Sequence, residues 1–453
     1  MSHYRNEAGV ARAPALLMED HREAYFFWKK LGLSDCTCVH VDAHLDACGF
    51  KVPGYTGMQQ PEVNCGNYLL PAMAEDIVQA LVWVVPPHLK KEQDLLTWAR
   101  EELQRWLHPT VAEYLSLQGR NGRIEGELKG RRFVVCESDN LPELEGPVLL
   151  DIDVDYYLGP QDEVWQTPLQ LADQLGGLRP VALTVAISVQ GGYTPLWLRY
   201  LGELSRLAFQ EPEEAARAWA DLHGKAEHLP DWLRAARLAA GAGSDYDHPA
   251  YLEAAAIDPA YAIQPLDAAC FYLERKRFDR CYRWLEHLAT EDPTAAAYLQ
   301  GFAAFRREHY GTSLESWRSV LEEPHDKLTR GHLLEMVGRA QAALGRAGEA
   351  VGSFLQAIRL DSRDVSLWLE LARSQAQAGR KEEAARSYRR GITLGPDLLM
   401  TAQAQLELAQ LYADLGQASL AQAQRTRLLK QRLPAVLRMQ AEVLAVTAAR
   451  RQG

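Results

Sequence analysis

The second half of the 453-residue sequence carries a repeat with a period of 34 residues. In the unit that starts at Val365, Tyr388 stands at position 24 and Pro396 at position 32. One period earlier, Gly338 and Phe354 occupy positions 8 and 24. A small residue at position 8 allows two helices to approach closely, and an aromatic ring at position 24 fills the layer between neighbours. We therefore predict stacked helix pairs, because one such unit cannot bury its apolar face alone.

The repeat extends beyond these two units. Gly345 and Gly379 are also 34 residues apart, and each is predicted to end the first helix of its unit. A weaker copy contains Gly301 and Trp317, and a looser one contains Gly416. The pattern resembles the tetratricopeptide repeat (TPR), and a generic helical bundle is the alternative. Arrays of such repeats offer a concave groove that usually holds a peptide or protein segment.

The first half of the chain has a different pattern, in which short apolar runs alternate with helical stretches such as 69–79 and 91–107. The apolar runs, which we predict to be strands, are residues 38–41, 81–85, 133–135, 148–150 and 181–187. Strands that alternate with helices predict an α/β domain with a parallel sheet. Ligands of such sheets bind beyond the carboxyl ends of the strands.

These patterns divide the chain into three predicted regions. Residues 1–208 form the α/β domain, 209–258 form a helical connector, and 259–453 form an all-α TPR solenoid. The tail from Pro434 is predicted to be a capping helix that closes the solenoid.

Charge and composition exclude several classes of partner. Lys and Arg total 49 against 60 Asp and Glu, and this net charge of −11 argues against nucleic acid and against an anionic membrane surface. No apolar run approaches the ~18–20 residues that a membrane span needs. Residues 1–20 lack a secretory signal pattern, and the seven cysteines include no CxxC pair. The sequence therefore predicts a cytoplasmic protein with reduced thiols.

Two acidic clusters each follow an apolar strand-like run. They are residues 39–46, with the sequence VHVDAHLD, and residues 149–155, with the sequence LLDIDVD. Polar residues recur at every second position, so an extended backbone projects them to one side. Either run alone is compatible with a solvated turn or a helix start. The pair of clusters, each after its own buried strand, instead favours one shared site.

Electrostatics indicates that such a site holds metal ions. Two carboxylates ~4 Å apart repel by about 4 kcal/mol at an effective dielectric constant near 20. Two divalent cations would balance the four charges of Asp42, Asp46, Asp153 and Asp155. Oxygen-rich ligands with one imidazole per ion suit Mn²⁺, with Fe²⁺, Co²⁺ and Zn²⁺ as alternatives. The clusters therefore predict a binuclear site with two Mn²⁺ per chain.

Five segments occur in the order found in the arginase (ureohydrolase) superfamily, and they most resemble its peptide arginases. The segments are Glu19-Asp20-His21, the VDAHLD run at 41–46, Cys65-Gly66-Asn67, the WVVP run at 83–86, and Asp151-Ile152-Asp153-Val154-Asp155. The VDAHLD run is the most specific of them. The resemblance covers roughly residues 15–205 and implies a three-layer α/β/α fold.

The resemblance also implies which side chains hold the two ions. One ion would take His21, Asp42, Asp46 and Asp153, and the other would take His44 and Asp155. Asp42 and Asp153 would bridge the ions and are the predicted catalytic residues. A second register, with Asp151 and Asp153 as ligands, stays open. Asn67, Ser188 and Gln190 are the predicted substrate-binding residues.

Peptide arginases hydrolyse arginine within a ribosomally synthesised precursor peptide to ornithine and urea. The same activity is therefore expected here, with the precursor peptide held in the repeat groove. Two positions depart from the pattern of ordinary arginases, because Leu69 replaces a histidine and the neutral Gln190 replaces a glutamate that holds the guanidinium. Glu62, Glu75 and Asp162 are candidate replacements for that glutamate.

Two other functions are compatible with the sequence. A deacetylase-like amidohydrolase would share the fold, but this chain lacks the adjacent catalytic histidines of that group and has Asp155 where a histidine ligand would stand. The other alternative is a non-catalytic adaptor, in which the repeats bind a peptide or protein.

Overall fold

A computed structural model describes residues 12–48, 63–224 and 228–450, with side chains through residue 444. The described chain forms two compact units. The first comprises residues 12–48, 63–99, 117–224 and 228–287, and the second comprises residues 100–116 and 288–450. The first unit thus continues past residue 208. The functional boundaries drawn from the sequence stay predictions.

The first unit is built on an eight-stranded sheet with the strand order β1-β8-β7-β2-β3-β6-β5-β4. The strands are β1 (Ala15–Met18), β2 (Cys36–Val41), β3 (Val78–Val84), β4 (Gln118–Arg120), β5 (Arg123–Leu128), β6 (Arg131–Cys136), β7 (Val148–Asp153) and β8 (Ala182–Ala186). All five predicted strands are present, as β2, β3, β6, β7 and β8. Strands β2, β7 and β8 are buried along their whole length, which explains why their sequences are almost continuously apolar.

The sheet is mixed, so the prediction of a wholly parallel sheet is wrong at one edge. Strands β1, β8, β7, β2, β3 and β6 pair in parallel, whereas β5 pairs antiparallel with both β6 and β4. A two-residue turn joins β4 to β5, and its residues Asn121 and Gly122 have φ values of 50° and 78°. Asn-Gly suits this turn because both positions need positive φ.

The described residues also form α-helices, which occur in both units. They are α1 (Glu23–Lys30), α2 (Leu69–Ala74), α3 (Leu95–Trp106), α4 (Val111–Ser116), α5 (Pro168–Gln174), α6 (Tyr200–Gln210), α7 (Pro212–His223), α8 (Asp231–Ala242), α9 (Ala250–Ile257), α10 (Pro265–Glu274), α11 (Phe278–Glu291), α12 (Pro293–Arg306), α13 (Tyr310–Glu322), α14 (Lys327–Ala343), α15 (Ala347–Leu360), α16 (Val365–Gln377), α17 (Lys381–Leu394), α18 (Leu399–Asp414), α19 (Ala418–Leu429) and α20 (Ala435–Arg450). None of the helices in the described ranges combines the length and apolar character that a membrane crossing requires.

One predicted helix is too long. The helix expected over 69–79 ends at Ala74, and Val78 already begins strand β3. Asp76 has a φ of 60°, and its carbonyl accepts a hydrogen bond from the backbone N–H of Asp35 at 2.8 Å. The chain therefore reverses at Asp76, because the apolar run after it gains more from pairing in the buried sheet than from helix propensity.

The second unit consists mainly of antiparallel helix pairs. Helices α12 and α13, α14 and α15, α16 and α17, and α18 and α19 pack as pairs, and each pair also packs on the next. Gly345 and Gly379 have φ values of 73° and 77°, and each follows the first helix of its pair as predicted; Gly416, with a φ of 71°, follows helix α18 in the same way. A Cβ built on Gly338 would lie 2.9 Å from Phe354 Cζ, which confirms the predicted close approach at position 8.

Candidate metal centre

The carboxyl ends of four neighbouring parallel strands meet at one edge of the sheet. In spatial order these strands are β1, β8, β7 and β2. His21 follows β1, Asp153 ends β7 and Asp42 follows β2. Because parallel strands present their carboxyl ends on the same side, residues far apart in sequence converge there.

His21 contacts carboxylates from both acidic clusters. Its Nδ1 lies 3.0 Å from Asp46 Oδ2, 3.2 Å from Asp153 Oδ2 and 3.4 Å from Asp42 Oδ2. The His21 side chain is only 1% exposed. One imidazole nitrogen therefore faces three carboxylates inside the protein, and these four residues are the set that the sequence assigns to one ion.

His44 and Asp155 form the other side of the cluster. His44 Nδ1 lies 2.8 Å from Asp155 Oδ2 and 3.6 Å from Asp42 Oδ1. Asp42 thus extends one carboxylate oxygen toward His21 and the other toward His44. All six predicted ligands are brought together, and Asp42 lies between the two groups.

The donor atoms of this cluster have the chemistry that a metal site requires. His21 Nδ1, Asp42 Oδ2 and Asp155 Oδ2 are buried and form no hydrogen bond of acceptable geometry among the described residues, although a titratable group lies close to each of them. A buried polar atom without a partner is costly, whereas a coordinated cation would satisfy all three atoms. Asp42, His44 and Asp155 also place ligand atoms within 4.8 Å of one another. The cluster therefore fits oxygen- and nitrogen-binding divalent ions.

The charges in the cluster are strongly coupled. Burial, reinforced by the charges of Asp155 and Asp42, raises the pKa of Asp153 to about 7. Burial and the charge of Asp42 also raise the pKa of both Asp46 and Asp155. Burial alone would raise the pKa of Asp42 as well, but neighbouring His40, His21 and His44 hold that pKa below its usual range. Cations bound beside them would therefore favour the ionised form of all four carboxylates.

Asp151 lies behind His21 and is saturated with hydrogen bonds. His21 Nε2 lies 3.1 Å from Asp151 Oδ1, Tyr68 Oη donates to Asp151 Oδ2 at 2.5 Å, and Thr184 Oγ1 donates to Asp151 Oδ1 at 2.5 Å. His40 Nδ1 lies 2.9 Å from Asp151 Oδ2. With its lone pairs so occupied, Asp151 is suited to supporting His21. This geometry favours the register with Asp153 and Asp155 as ligands.

His40 lies beside the carboxylates, and acceptor atoms face both of its ring nitrogens. Its Nδ1 faces the Asp151 carboxylate, and its Nε2 lies 3.1 Å from the carbonyl oxygen of His44. Burial lowers the pKa of His40, but the charge of Asp42 and the hydrogen bond to Asp151 more than offset this effect and raise it. Both ring nitrogens face acceptors, so the geometry suits a doubly protonated imidazole.

Three of these supporting residues are absent from the sequence-based assignment of the site. His40 could have been identified from the sequence, because it stands two residues before Asp42 and so continues the alternation of polar residues in the VDAHLD run. Thr184 lies within an apolar strand, and Tyr68 lies just after the Cys65-Gly66-Asn67 turn. Neither of these two stands in a pattern that predicts contact with an aspartate from another strand.

The three predicted substrate-binding residues occupy different surroundings. Ser188 joins the cluster directly, since its Oγ donates to Asp153 Oδ2 at 2.5 Å. Asn67 Oδ1 accepts a hydrogen bond from the backbone N–H of Asn64 at 2.8 Å, and this bond closes a turn. The turn lies next to the Asp46 segment, because the backbone N–H of Leu69 donates to the carbonyl oxygen of Asp46. Gln190 is exposed and lines a cavity of about 190 Å³ with Glu19 and Asp267 among its walls.

Two of the candidate guanidinium partners already have cationic partners. Glu75 accepts hydrogen bonds from Lys29 Nζ and Tyr25 Oη at 2.9 and 2.8 Å. Asp162 forms an ion pair with Arg275 at 2.5 Å. Neither carboxylate is thus available for a substrate guanidinium without breaking an existing pair. Glu62 lies outside the described residues.

The comparisons with known proteins concern the helical repeats. The sequence matches no protein-family model and no curated protein. Among solved structures, YrrB, "a TPR protein with an unusual peptide-binding site", is 17% identical with a TM-score of 0.35, over 42% of this chain and 97% of YrrB. MamA is 17% identical with a TM-score of 0.34, over 37% of this chain and 88% of MamA. TTC0263, a thermophilic TPR protein of Thermus thermophilus, is 20% identical with a TM-score of 0.29, over 40% of this chain and 97% of its own.

Proposed function

We propose that this protein is a divalent-metal-dependent hydrolase of the arginase type, which converts peptidyl arginine to ornithine and urea. One observation carries the proposal: His21 Nδ1, Asp42 Oδ2 and Asp155 Oδ2 are buried inside a cluster of four carboxylates and form no hydrogen bond of acceptable geometry among the described residues. Burying such groups is unfavourable unless cations compensate them. The six residues are those that the resemblance to peptide arginases assigns as ligands, and their segments follow one another in the order found in that family.

In this proposal His21, Asp42, Asp46 and Asp153 hold one Mn²⁺, and His44 and Asp155 hold the other, with Asp42 and Asp153 shared. The chemistry that two such ions supply when bound is activation of water and stabilisation of negative charge at the reacting centre.

The side chains around the ligands would orient them for this chemistry. Asp151 accepts from His21 Nε2 and thereby leaves the Nδ1 lone pair directed at the carboxylate cluster. Ser188 donates to Asp153 Oδ2, which fixes the rotation of that carboxylate. His40 adds a positive charge beside Asp42 and limits the repulsion among the acidic groups.

The repeats would bind the substrate peptide. Helices α16, α17, α18 and α20 enclose a largely apolar groove of about 730 Å³. Its walls are Ala376, Tyr388, Leu406, Glu407, Gln410, Leu411, Asp414, Met439, Gln440, Val443 and Leu444. Met439 and Val443 are 58% and 56% exposed, so two apolar side chains are accessible to a partner. A peptide held in such a groove would present its arginines to the hydrolase at high effective concentration.

The decisive experiment measures metal content and peptide mass together. We expect protein purified without chelator to contain about two Mn²⁺ per chain, and arginine-containing precursor peptides to lose about 42 Da per modified arginine, the mass difference between arginine and ornithine. Asp42→Asn should abolish both the metal and the mass change. One Zn²⁺ per chain would instead indicate the deacetylase-like alternative, and a metal-free protein that leaves peptides unmodified would contradict the hydrolase.

The adaptor is the second candidate, and the apolar groove in the repeats favours it. An adaptor would bind peptides without changing their mass. Met439→Glu should weaken peptide binding in either case, because it places a charge in the groove. Val436→Glu is the matched control, since Val436 is 60% exposed on the same helix but does not line the groove. Peptide binding without metal and without a mass change would support the adaptor.

A further inference from the structure

The candidate metal centre opens to solvent at His44. The His44 side chain is 43% exposed, whereas the side chains of Asp42 and Asp155 are 1% and 6% exposed and that of Asp46 is 12% exposed. We therefore expect a substrate group to approach from the side of His44. The rings of Tyr193 and His44 form a T-shaped pair, with 5.0 Å between the ring centroids and 68° between their planes.

The backbone that carries Tyr193 is held by a single arginine side chain. Arg275 Nη1 donates to the carbonyl oxygen of Gly192 at 2.7 Å, and Arg275 Nη2 donates to the carbonyl oxygen of Tyr193 at 3.0 Å. Arg275 Nε donates to both oxygens of Asp162 at 2.7 and 2.8 Å. The guanidinium also lies over the Phe271 ring, 4.1 Å from its centroid. These contacts use the planar, forked geometry of arginine.

Gly192 allows the loop to lie directly against helix α10. Its φ is +81°, and a Cβ at this position would overlap the backbone nitrogen of Phe271. The loop and the helix therefore meet backbone to backbone, with Arg275 connecting them just beyond the end of α10. Helix α10 lies well after the sheet in sequence, so residues outside the region of the arginase resemblance help to position the edge of the site.

We infer that Tyr193 is a specificity-determining residue for the guanidinium of the substrate arginine, and that Arg275 is the positioning residue that holds Tyr193 at the opening. The inference rests on the proposed function. A guanidinium is planar and weakly hydrated, and it stacks favourably on an aromatic face. Asp162 is already paired with Arg275, and Gln190 is neutral. In this inference the Tyr193 ring contacts the substrate guanidinium in place of the glutamate of ordinary arginases.

Equilibrium binding tests this inference without relying on turnover. An arginine-containing peptide and the same peptide with citrulline, which is neutral, are titrated by calorimetry against protein freed of metal with chelator, so that no peptide is hydrolysed during the titration. We expect Tyr193→Ala to weaken binding of the arginine peptide about 3- to 30-fold, the range of cation–π contacts, and to leave the citrulline peptide unaffected. Tyr193→Phe should bind the arginine peptide as wild type does, because it keeps the ring.

Arg275→Lys tests the positioning role. Lysine cannot bind Asp162 and two carbonyl oxygens in one plane, so we expect a loss in the same direction as for Tyr193→Ala, with unchanged metal content. Arg280→Lys is the matched control, because Arg280 pairs with Asp245 and Asp247 at 2.8 and 3.2 Å in the same unit without contacting the Tyr193 loop. It should bind both peptides as wild type does. In turnover, Tyr193→Ala should raise KM and leave kcat unchanged.

Two results would overturn the inference. In the first, Tyr193→Ala binds the arginine peptide as tightly as wild type does; in the second, Tyr193→Ala weakens binding of the arginine peptide and of the citrulline peptide by the same factor. A wild-type protein that binds no metal would instead contradict the proposed function. In that case the calorimetric comparison still decides whether Tyr193 recognises the guanidinium.

Discussion

His21 Nε2 lies 3.1 Å from Asp151 Oδ1, and both side chains are almost completely buried. Because an ionised carboxylate can only accept, this contact requires a proton on His21 Nε2, and with a metal ion bound Nδ1 would be the nitrogen that coordinates it. The neighbouring His21 and His40 outweigh the effect of burial and hold the pKa of Asp151 well below its usual range, so the carboxylate stays ionised. A histidine oriented by a buried carboxylate is the common arrangement behind metal-ligating imidazoles.

The first prediction follows from this pair. Asp151→Asn keeps the shape of the side chain but removes the charge that orients His21, so we expect Mn²⁺ affinity to fall about 10- to 100-fold. The affinity is measured by metal titration with calorimetry or electron paramagnetic resonance. Asp94→Asn is a suitable control, because Asp94 is a helix N-cap that accepts from Thr97 and an asparagine caps equally well. Wild-type affinity in a folded Asp151→Asn protein would contradict the supporting role of Asp151.

The second prediction concerns metal removal. Chelation should lower the melting temperature, because the metal-free cluster contains four buried carboxylates that repel one another. A ligand present at about 100 times its Kd stabilises a protein by about 2.7 kcal/mol, so the shift should be measurable by calorimetry. Asp42→Asn should remove the dependence on metal, since Asp42 contacts both groups of ligands. Identical melting curves with and without chelator in wild type would count against the site.

The sequence is sufficient to assemble the candidate ligands, because their information is local. The extended backbone expected through both clusters is not present, because β2 ends at Val41 and Asp155 lies in a short 3₁₀ helix at Val154–Tyr157. Asp42 and Asp153 instead accept hydrogen bonds from the backbone N–H groups of His44 and Asp155, so each pair is still set by residues two apart in sequence. The register of the second cluster is different, since Asp151 and Asp155 are equally acidic in sequence. Only the hydrogen bonds from Tyr68, Thr184 and His40 distinguish the supporting carboxylate from the ligands.

The fold shows the same division between local and long-range information. The 34-residue repeat predicts helix ends such as Gly345 and Gly379, because a residue with positive φ is needed there. The start of strand β3 is assigned to a helix from sequence, because only pairing with β2 and β6 reveals that Val78 lies in the sheet. The Asn121-Gly122 pair, by contrast, is a local signal for the antiparallel hairpin between β4 and β5.

The third prediction compares two glycines of neighbouring helices in the repeats. Gly338→Ala should destabilise the protein by about 1–3 kcal/mol, because its Cβ would lie 2.9 Å from Phe354 Cζ and force the ring to move. Gly352 lies within helix α15 with no atom within 4 Å of a built Cβ. Gly352→Ala should therefore stabilise by about 0.5–1 kcal/mol through helix propensity. Denaturant unfolding measures both, and equal effects would contradict close packing at position 8.

The last prediction concerns the acid stability of the repeats. Burial, with a smaller contribution from the charge of Arg339, lowers the pKa of His332 to about 3. The unfolded chain, with a histidine pKa near 6.5, takes up a proton over a range in which the folded chain does not. Stability is therefore unaffected by His332 above pH ~6.5 and is lost progressively as the pH falls from there toward about 3.

Replacing this histidine should reduce that loss. His332 Nε2 is buried without a hydrogen-bond partner among the described residues, and its ring stacks on Phe302 with 6.4 Å between centroids. His332→Phe keeps an aromatic ring and removes the titrating group. The difference between its melting temperature and that of wild type should therefore become more positive as the pH is lowered from about 7.5 to about 5. His309→Gln, at an exposed histidine of the same unit, should follow wild type. Parallel pH profiles for His332→Phe and wild type would contradict this prediction, because they would show that His332 takes up its proton over the same pH range in the folded and the unfolded chain.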